Sequence, residues 1–150
     1  MRVVIQRVKK ASVSIQNSIA SSIGPGLLVL VGIEESDTQE DALWLAQKIT
    51  SMRIFSDEEG KMNLDVLQSY GELLVVSQFT LHALTKKGNR PSFIRAARPE
   101  KAIPIYTYFL EQLNLLLGKP VQTGTFGAMM DVELINDGPV TIWMDTAQKE

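Results

Sequence analysis

Leu73-Leu74-Val75-Val76-Ser77-Gln78-Phe79-Thr80 is the stretch whose reading decides the fold. Its first four residues are apolar, as in a strand buried on both faces. The run then ends in two hydroxyls and an amide, which leaves hydrogen-bonding groups at the strand tip. Gly26-Leu27-Leu28-Val29-Leu30-Val31-Gly32 reads alike: a turn at Gly24-Pro25-Gly26 opens an apolar strand over 27–33, covered on both faces.

A second interruption lies far along the chain. Leu134-Ile135 gives way to Asn136-Asp137-Gly138-Pro139, and the strand pattern resumes as Val140-Thr141-Ile142-Trp143. A Gly-Pro step at a strand start offers backbone carbonyls in a fixed direction, because proline locks φ and has no N–H. Alone it reads as a turn between strands. Paired with Ser77–Thr80, it points to a site built from main-chain groups rather than from strong acids and bases.

Working outward, residues 2–8 and 11–16 read as two Val- and Ile-rich strands with Lys9-Lys10 at the turn. Asp37, with Glu40 three residues on, reads as the cap of a helix over about 38–53, whose apolar side is Ala42, Leu45, Ala46 and Ile49. Residues 54–71 read as an irregular polar connection with one helical turn near Val66. Pro99 opens a second helix after a long loop, 82–98. Ala102, Tyr106, Phe109 and Leu113 form its apolar side, Pro104 lies near its start, and Gly118 ends it. Strands at about 120–123, 129–135 and 139–144 close the chain. The expected fold is α/β: a single domain over 1–150, in a layered β/β/α arrangement with a mixed sheet and two main helices covering one side.

Composition bounds the function. A chain of 150 residues can bury a core of its own. With 45% hydrophobic and 21% charged residues it is ordinary for a soluble globular protein. It contains no cysteine, so disulfides and thiolate metal sites are excluded, which suits a reducing cytoplasm. No apolar run approaches the roughly 18 residues of a membrane span, and no leader pattern opens the chain. The net charge of −2 argues against a globally basic nucleic-acid binder, while leaving room for a local basic strip. No P-loop or dinucleotide fingerprint is present.

Ser77-Gln78-Phe79-Thr80 and Asn136-Asp137-Gly138-Pro139-Val140-Thr141 closely resemble the S-Q-F-T and N-x-G-P-V-T signatures of the D-aminoacyl-tRNA deacylases. The opening Met1–Val8 with Ala11-Ser12-Val13 resembles that family as well. So do Gly26–Gly32, Lys61-Met62-Asn63, Gly88-Asn89-Arg90-Pro91-Ser92-Phe93 and Gly124-Thr125-Phe126-Gly127-Ala128. Nearly the whole chain is covered, in register. One position departs: Met129 stands where the family usually carries an acidic residue, while Met130 keeps the expected methionine.

The resemblance implies a cytoplasmic homodimeric hydrolase that cleaves the ester of D-aminoacyl-tRNA, and also glycyl-tRNA, without cofactor or metal and without a membrane partner. It implies that Ser77, Gln78, Phe79 and Thr80 form the catalytic segment. A backbone N–H near Phe79 or Thr80 would stabilise the oxyanion, and the ribose hydroxyl beside the ester would assist water attack. It further implies that Gly138-Pro139 is cis and enters the partner subunit's amino-acid pocket, where its carbonyls reject an L side chain. Phe126 and Met130 would complete the substrate-binding set.

Other residues admit more than one reading. Thr80 could be a nucleophile or an anchoring hydroxyl; no base is evident beside it. The lone histidine, His82, falls outside the family motif and has no evident acid to orient it, so it reads as a loop residue. Lys86, Lys87, Arg90, Arg95 and Arg98 place five cations within 13 residues with no acid among them. Such a strip is either a solvated face or a tRNA phosphate contact, and Lys86, Lys87 and Arg90 are its tRNA-binding candidates. Phe93 would be either packed core or a stacking surface. Asp57-Glu58-Glu59 lacks the spacing of a metal loop and reads as a solvated turn. Two rival functions stay open: a non-catalytic RNA-binding module, and a Thr80-nucleophile esterase or amidase.

Overall fold

The long strand β1, Arg2–Ile15, organises the sheet in the computed structural model, which describes residues 1–149. The turn expected at Lys9-Lys10 is absent. Its place is taken by irregular register against the last strand between Val8 and Lys10, so both lysines stay exposed without breaking β1. Reversal comes later, at Gln16 and Asn17, whose φ values of 50° and 62° suit a tight hairpin. The hairpin leads into β2, Ser18–Ile23, a strand the sequence pattern hid among Ser and Ala.

β3, Gly26–Gly32, runs antiparallel to the first half of β1 and parallel to β6, Glu72–Ser77. A short β7, Gln122–Thr123, extends the sheet on the far side of β6 in parallel. β8, Asp131–Asp145, pairs along the free edge of β1. The two strands expected at 129–135 and 139–144 are thus one element with an irregularity at 136–140. The Ser21 hydroxyl donates to the Thr123 carbonyl at 2.8 Å, bringing β2 against β7 and curling the sheet toward a barrel. A separate two-stranded piece, β4 (Phe55–Ser56) and β5 (Met62–Leu64), holds the acidic turn. There the exposed Asp57 carboxylate accepts from the Asn63 amide and the Glu59 and Lys61 N–H groups, which hold its pKa down.

Helix α1, Gln39–Ser51, starts one residue later than the cap reading placed it. Thr38 is the cap, and the Asp41 carboxylate accepts from its N–H and hydroxyl, each at 2.9 Å. Asp37 is diverted: its carboxylate accepts from the buried Met1 ammonium and from the Glu34 N–H. Helix α2, Pro99–Leu117, has proline at its first turn, Pro104 inside and Gly118 in the left-handed region at φ 71°.

Alternation splits the sheet residues between two apolar cores. Val3, Ile5, Leu27, Val29, Val31, Leu73 and Val75 face both helices, with Leu45, Ile49, Phe109 and Leu113 packed on them. Val8, Ala11, Val13, Leu28, Leu74 and Val76 face inward on the other side. The mixed α/β fold with both helices on one face agrees with the sequence reading. No helix among the described residues is long and apolar enough to cross a membrane.

Gly26 sits where β3 meets β6; a Cβ on it would lie 2.0 Å from the Glu72 carbonyl oxygen. Backbone cannot yield as a flexible side chain does. Gly26→Ala is expected to destabilise the fold by about 3 kcal/mol, the upper end of typical overpacking costs, measured as a drop in the urea midpoint at unchanged m-value.

Candidate functional site

Beyond Ser77 the chain leaves the sheet. The Gln78 N–H donates to the Val31 carbonyl at 2.7 Å, and Phe79–His82 then coil into a single 3-10 turn. The strand that the apolar run Leu73–Val76 announces therefore ends at Ser77, and the rest of the motif lies in the turn. Leu81 N–H donates back to Gln78, and Ala83 N–H to Thr80. Among the described residues the N–H groups of Phe79 and Thr80 find no acceptor, as at the start of any helical turn. The Gln78 side-chain amide donates to the Thr80 hydroxyl. Arg2 braces the turn by donating to the Leu81 carbonyl at 3.0 Å, while its Nε donates to Asp145 at 2.8 Å. Burial would raise the Asp145 pKa, but the Arg2 bond and the Ala147 N–H keep it below the usual carboxylate value.

A pocket of about 320 Å³ opens at these strand tips. Val31, Val76, Ser77, Gln78 and Phe79 line one part, and Phe126 through Met130 with Val132 line another. This is the carboxyl end of the parallel pair β3 and β6, where open sheets receive ligands. Phe79 and Met129 are 57% and 91% exposed, so the mouth is apolar. Phe79 packs edge-on to Phe93 at 5.2 Å between centroids; Phe93 supports the mouth and is half-buried. Phe126 leans on Tyr106 at 5.6 Å. The Tyr106 hydroxyl donates to Val75 at 3.2 Å, and burial pushes its pKa up to about 12, so it stays neutral. No residue lining the pocket titrates. No group of three or more His, Cys, Asp or Glu able to hold a metal occurs among the described residues.

The structure thus brings together Ser77, Gln78, Phe79, Phe126 and Met130. Thr80 lies beside them, exposed and outside the lining. Gly138 and Pro139 are not in their own chain's pocket. Between Gln6↔Thr141 and Val8↔Asn136 the register slips, and the intervening residues of β8 leave the ladder. The Gly138–Pro139 peptide is cis, and both residues are exposed.

Sequence reading missed what lies under this loop. Arg7 follows Val3 and Ile5 on the buried face of β1 and is itself only 9% exposed. It donates to the Ile54 carbonyl at 2.6 Å and the Asp137 carbonyl at 3.2 Å, and pairs with the Asp137 carboxylate at 3.3 Å. Gln6 Oε1 accepts from Asn136 at 2.9 Å and Thr141 at 2.6 Å. A charged residue at an inward strand position was the available signal.

The basic segment folds as a narrow excursion. Leu84 and Ser92 exchange backbone bonds of 2.8 and 3.0 Å, leaving Lys86, Lys87 and Arg90 exposed at the tip. None of these three joins an ion pair among the described residues. Arg95 does, at 2.9 Å from Glu34.

The family model described as D-Tyr-tRNA(Tyr) deacylase matches residues 4–145. The chain belongs to that family. Membership places it among hydrolases that act on the ester bond of aminoacyl-tRNA. It is 63% identical over 150 residues to the D-aminoacyl-tRNA deacylase of Parabacteroides distasonis, covering 100% of both chains. The same identity and coverage hold for the D-aminoacyl-tRNA deacylase of Akkermansia muciniphila. A solved structure described as a c-Myc DNA Unwinding Element Binding Protein is 42% identical, with a TM-score of 0.91 over 97% of this chain and 99% of that one. A probable eukaryotic D-amino acid tRNA deacylase shares the fold, with a TM-score of 0.81 at 17% identity over 95% and 97% of the two chains.

Gly124 keeps the pocket open: a Cβ there would fall 2.5 Å from the Met130 sulfur. Methionine is flexible and can move aside. Gly124→Ala is expected to cost less than about 1.5 kcal/mol in stability while pushing Met130 toward the pocket. Substrates with bulky amino-acid side chains should lose more kcat/KM than small ones, as steady-state deacylation of paired substrates would measure.

Proposed function

We propose that this protein hydrolyses D-aminoacyl-tRNA and glycyl-tRNA, and spares L-aminoacyl-tRNA through the Gly138-Pro139 segment of a second copy of the chain. The unengaged N–H donors of Phe79 and Thr80, beside an apolar pocket without titratable lining residues, are the observation that carries this reading. Such donors stabilise negative charge on an ester carbonyl oxygen as water adds. The ester C–O bond then breaks, releasing the free amino acid and the terminal ribose hydroxyl. With no acid or base in the lining, proton transfer falls to the substrate's neighbouring ribose hydroxyl. A cytoplasmic location accords with an aminoacyl-tRNA substrate.

Thr80 is a positioning group in this scheme. Its hydroxyl accepts from Gln78, and among the described residues no acid or base hydrogen-bonds to it. The loop at 137–139 supports a dimer because it is exposed, held from beneath by Arg7, and outside its own pocket. Its carbonyls would meet the substrate's amino-acid portion across the interface, so chirality is read by main-chain atoms and side-chain identity hardly matters. Lys86, Lys87 and Arg90 fit the phosphates of the tRNA acceptor end. A DNA backbone would satisfy the same cations, but it offers no ester to the Phe79 and Thr80 donors.

The deciding experiment compares matched D- and L-tyrosyl-tRNA with glycyl-tRNA. D-tyrosyl and glycyl substrates should turn over and the L form should not. Ending the D substrate in 2′-deoxyadenosine should slow it greatly, whereas Thr80→Ala should keep measurable activity. Equal rates on both enantiomers would sink the chirality claim, and a trapped acyl-enzyme would reinstate Thr80 as nucleophile.

Gly138 has φ 122°, and a Cβ there would sit 2.9 Å from Arg7 Nη2. Gly138→Ala is therefore expected to strain the loop, lower stability modestly and abolish most activity on D-tyrosyl-tRNA, with circular dichroism still reporting the parent fold. Full activity in that variant would remove Gly138 from the site.

Neutralising Lys86, Lys87 and Arg90 together should weaken tRNA binding and flatten its salt dependence by about one unit of log–log slope for each phosphate no longer neutralised. The D/L ratio should survive. An unchanged slope would return these cations to solvent.

A further inference from the structure

His82, the chain's one histidine, closes the 3-10 turn and is fully buried outside the pocket lining. Among the described residues neither ring nitrogen makes a well-formed hydrogen bond, an uncommon state for a buried polar group; the Gly32 backbone is near the ring without completing one. Nδ1 lies 3.6 Å from Glu34 Oε2, beyond hydrogen-bonding distance. That same oxygen accepts from Arg95 at 2.9 Å. The ring also lies against β3: a Cβ on Gly32 would be 2.9 Å from Cδ2 and 3.1 Å from Nε2. The end of β3 and the turn bearing Phe79 and Thr80 meet at this imidazole, and Glu34 connects it to Arg95 of the basic segment.

We propose that His82 is a positioning residue for deacylation: neutral and wedged against Gly32, it seats the Phe79–Thr80 turn, and through Glu34 it sets whether Arg95 holds the basic segment against the body. The proposal rests on the deacylase reading of the pocket. While the ring is neutral, Glu34 Oε2 belongs to Arg95. A protonated ring would be a second cation beside the same oxygen and would compete for it.

The surrounding charges divide. Burial lowers the His82 pKa most; the Gly32 backbone and the Glu34 carboxylate oppose that, while Arg2 from β1 and the Met1 ammonium add to it. Asp145 is occupied by Arg2, and Asp37 by the Met1 ammonium. The folded value therefore lies below that of free histidine, about 6.5. A depressed histidine pKa means the neutral arrangement is fully favoured above that free value. It is lost as the pH falls through the folded value. Acidification should then turn Glu34 toward His82 and free Arg95.

Because there is one histidine, imidazole NMR of the whole protein gives one unambiguous titration. The midpoint should lie below about 6.5; a midpoint at or above it overturns the proposal. Enzyme kinetics then read the coupling. Across about pH 5 to about pH 8, with uncatalysed hydrolysis subtracted, KM for D-tyrosyl-tRNA should rise on acidification in the parent and stay flat in His82→Gln. Parallel KM rises in both proteins, or a fall in kcat with KM unchanged, overturn it. Should His82→Gln not fold, Glu34→Gln carries the test: KM should be raised and independent of pH, and a KM that still climbs with acid overturns the proposal. If the parent hydrolyses no aminoacyl-tRNA, the deacylase reading fails by itself. The NMR midpoint and the pH dependence of tRNA binding then still decide the role of His82.

Discussion

β3 is pinned between β1 and β6 with a glycine at each end, and the site depends on that spacing. At the entry, Gly26 lets the Glu72 backbone approach to a distance no Cβ could share. At the exit, a Cβ on Gly32 would stand 2.9 Å from the Gln78 carbonyl oxygen. These close approaches fix where β6 stops and where the following turn must lie. Strand tips in a parallel pair expose unpaired main-chain groups. Here Gln78 satisfies one of them through Val31, and the chain coils immediately afterwards. The consequence is a pair of N–H donors beside an apolar hollow, positioned by the sheet rather than by a mobile loop.

Main-chain donors make an unusual catalytic resource. They carry only partial charge, so they need no counter-ion and impose little desolvation cost on a pocket lined by Val31, Val76, Phe126 and Met130. In such surroundings a dipole acts on a developing oxyanion more strongly than it would in water. Ionised side chains are kept away: Arg2, Asp145, Arg7 and Asp137 are tied to one another or to backbone carbonyls. The charges brace the pocket from behind while its own lining stays neutral.

Much of this was legible in the residues because the two signals were local. Apolar runs at 27–31 and 73–76, short and flanked by turn residues, read as buried strands, and Pro99 with Gly118 bracketed α2 by backbone chemistry alone. Longer-range facts were not legible. Lys9-Lys10 looks like a turn in one dimension but is absorbed within β1, because β8 takes up the mismatch in register. Ser18–Ile23 carries too little apolar character to announce a strand; it is one because β1 offers it an edge. Asp37 would have capped α1 had the Met1 ammonium not claimed its carboxylate. His82 read as a loop residue without an acid, yet Glu34, distant in sequence, lies against it in the fold.

The arrangement of β8 sets how the Gly138-Pro139 step is presented at the surface. A strand of 15 residues paired along β1 on one edge leaves its other edge open, and its exposed positions include Ile135 and Trp143. Open edges and exposed apolar side chains are normally covered or blunted. The Asp137–Pro139 excursion leaves the ladder in the middle of this strand and is held by a buried arginine rather than left to solvent. Desolvating a guanidinium beneath a surface loop is costly unless each of its bonds is satisfied. Arg7 meets that condition through Ile54 and Asp137 together. A loop so anchored keeps its main-chain groups in one orientation at the surface while standing outside the lining of its own pocket.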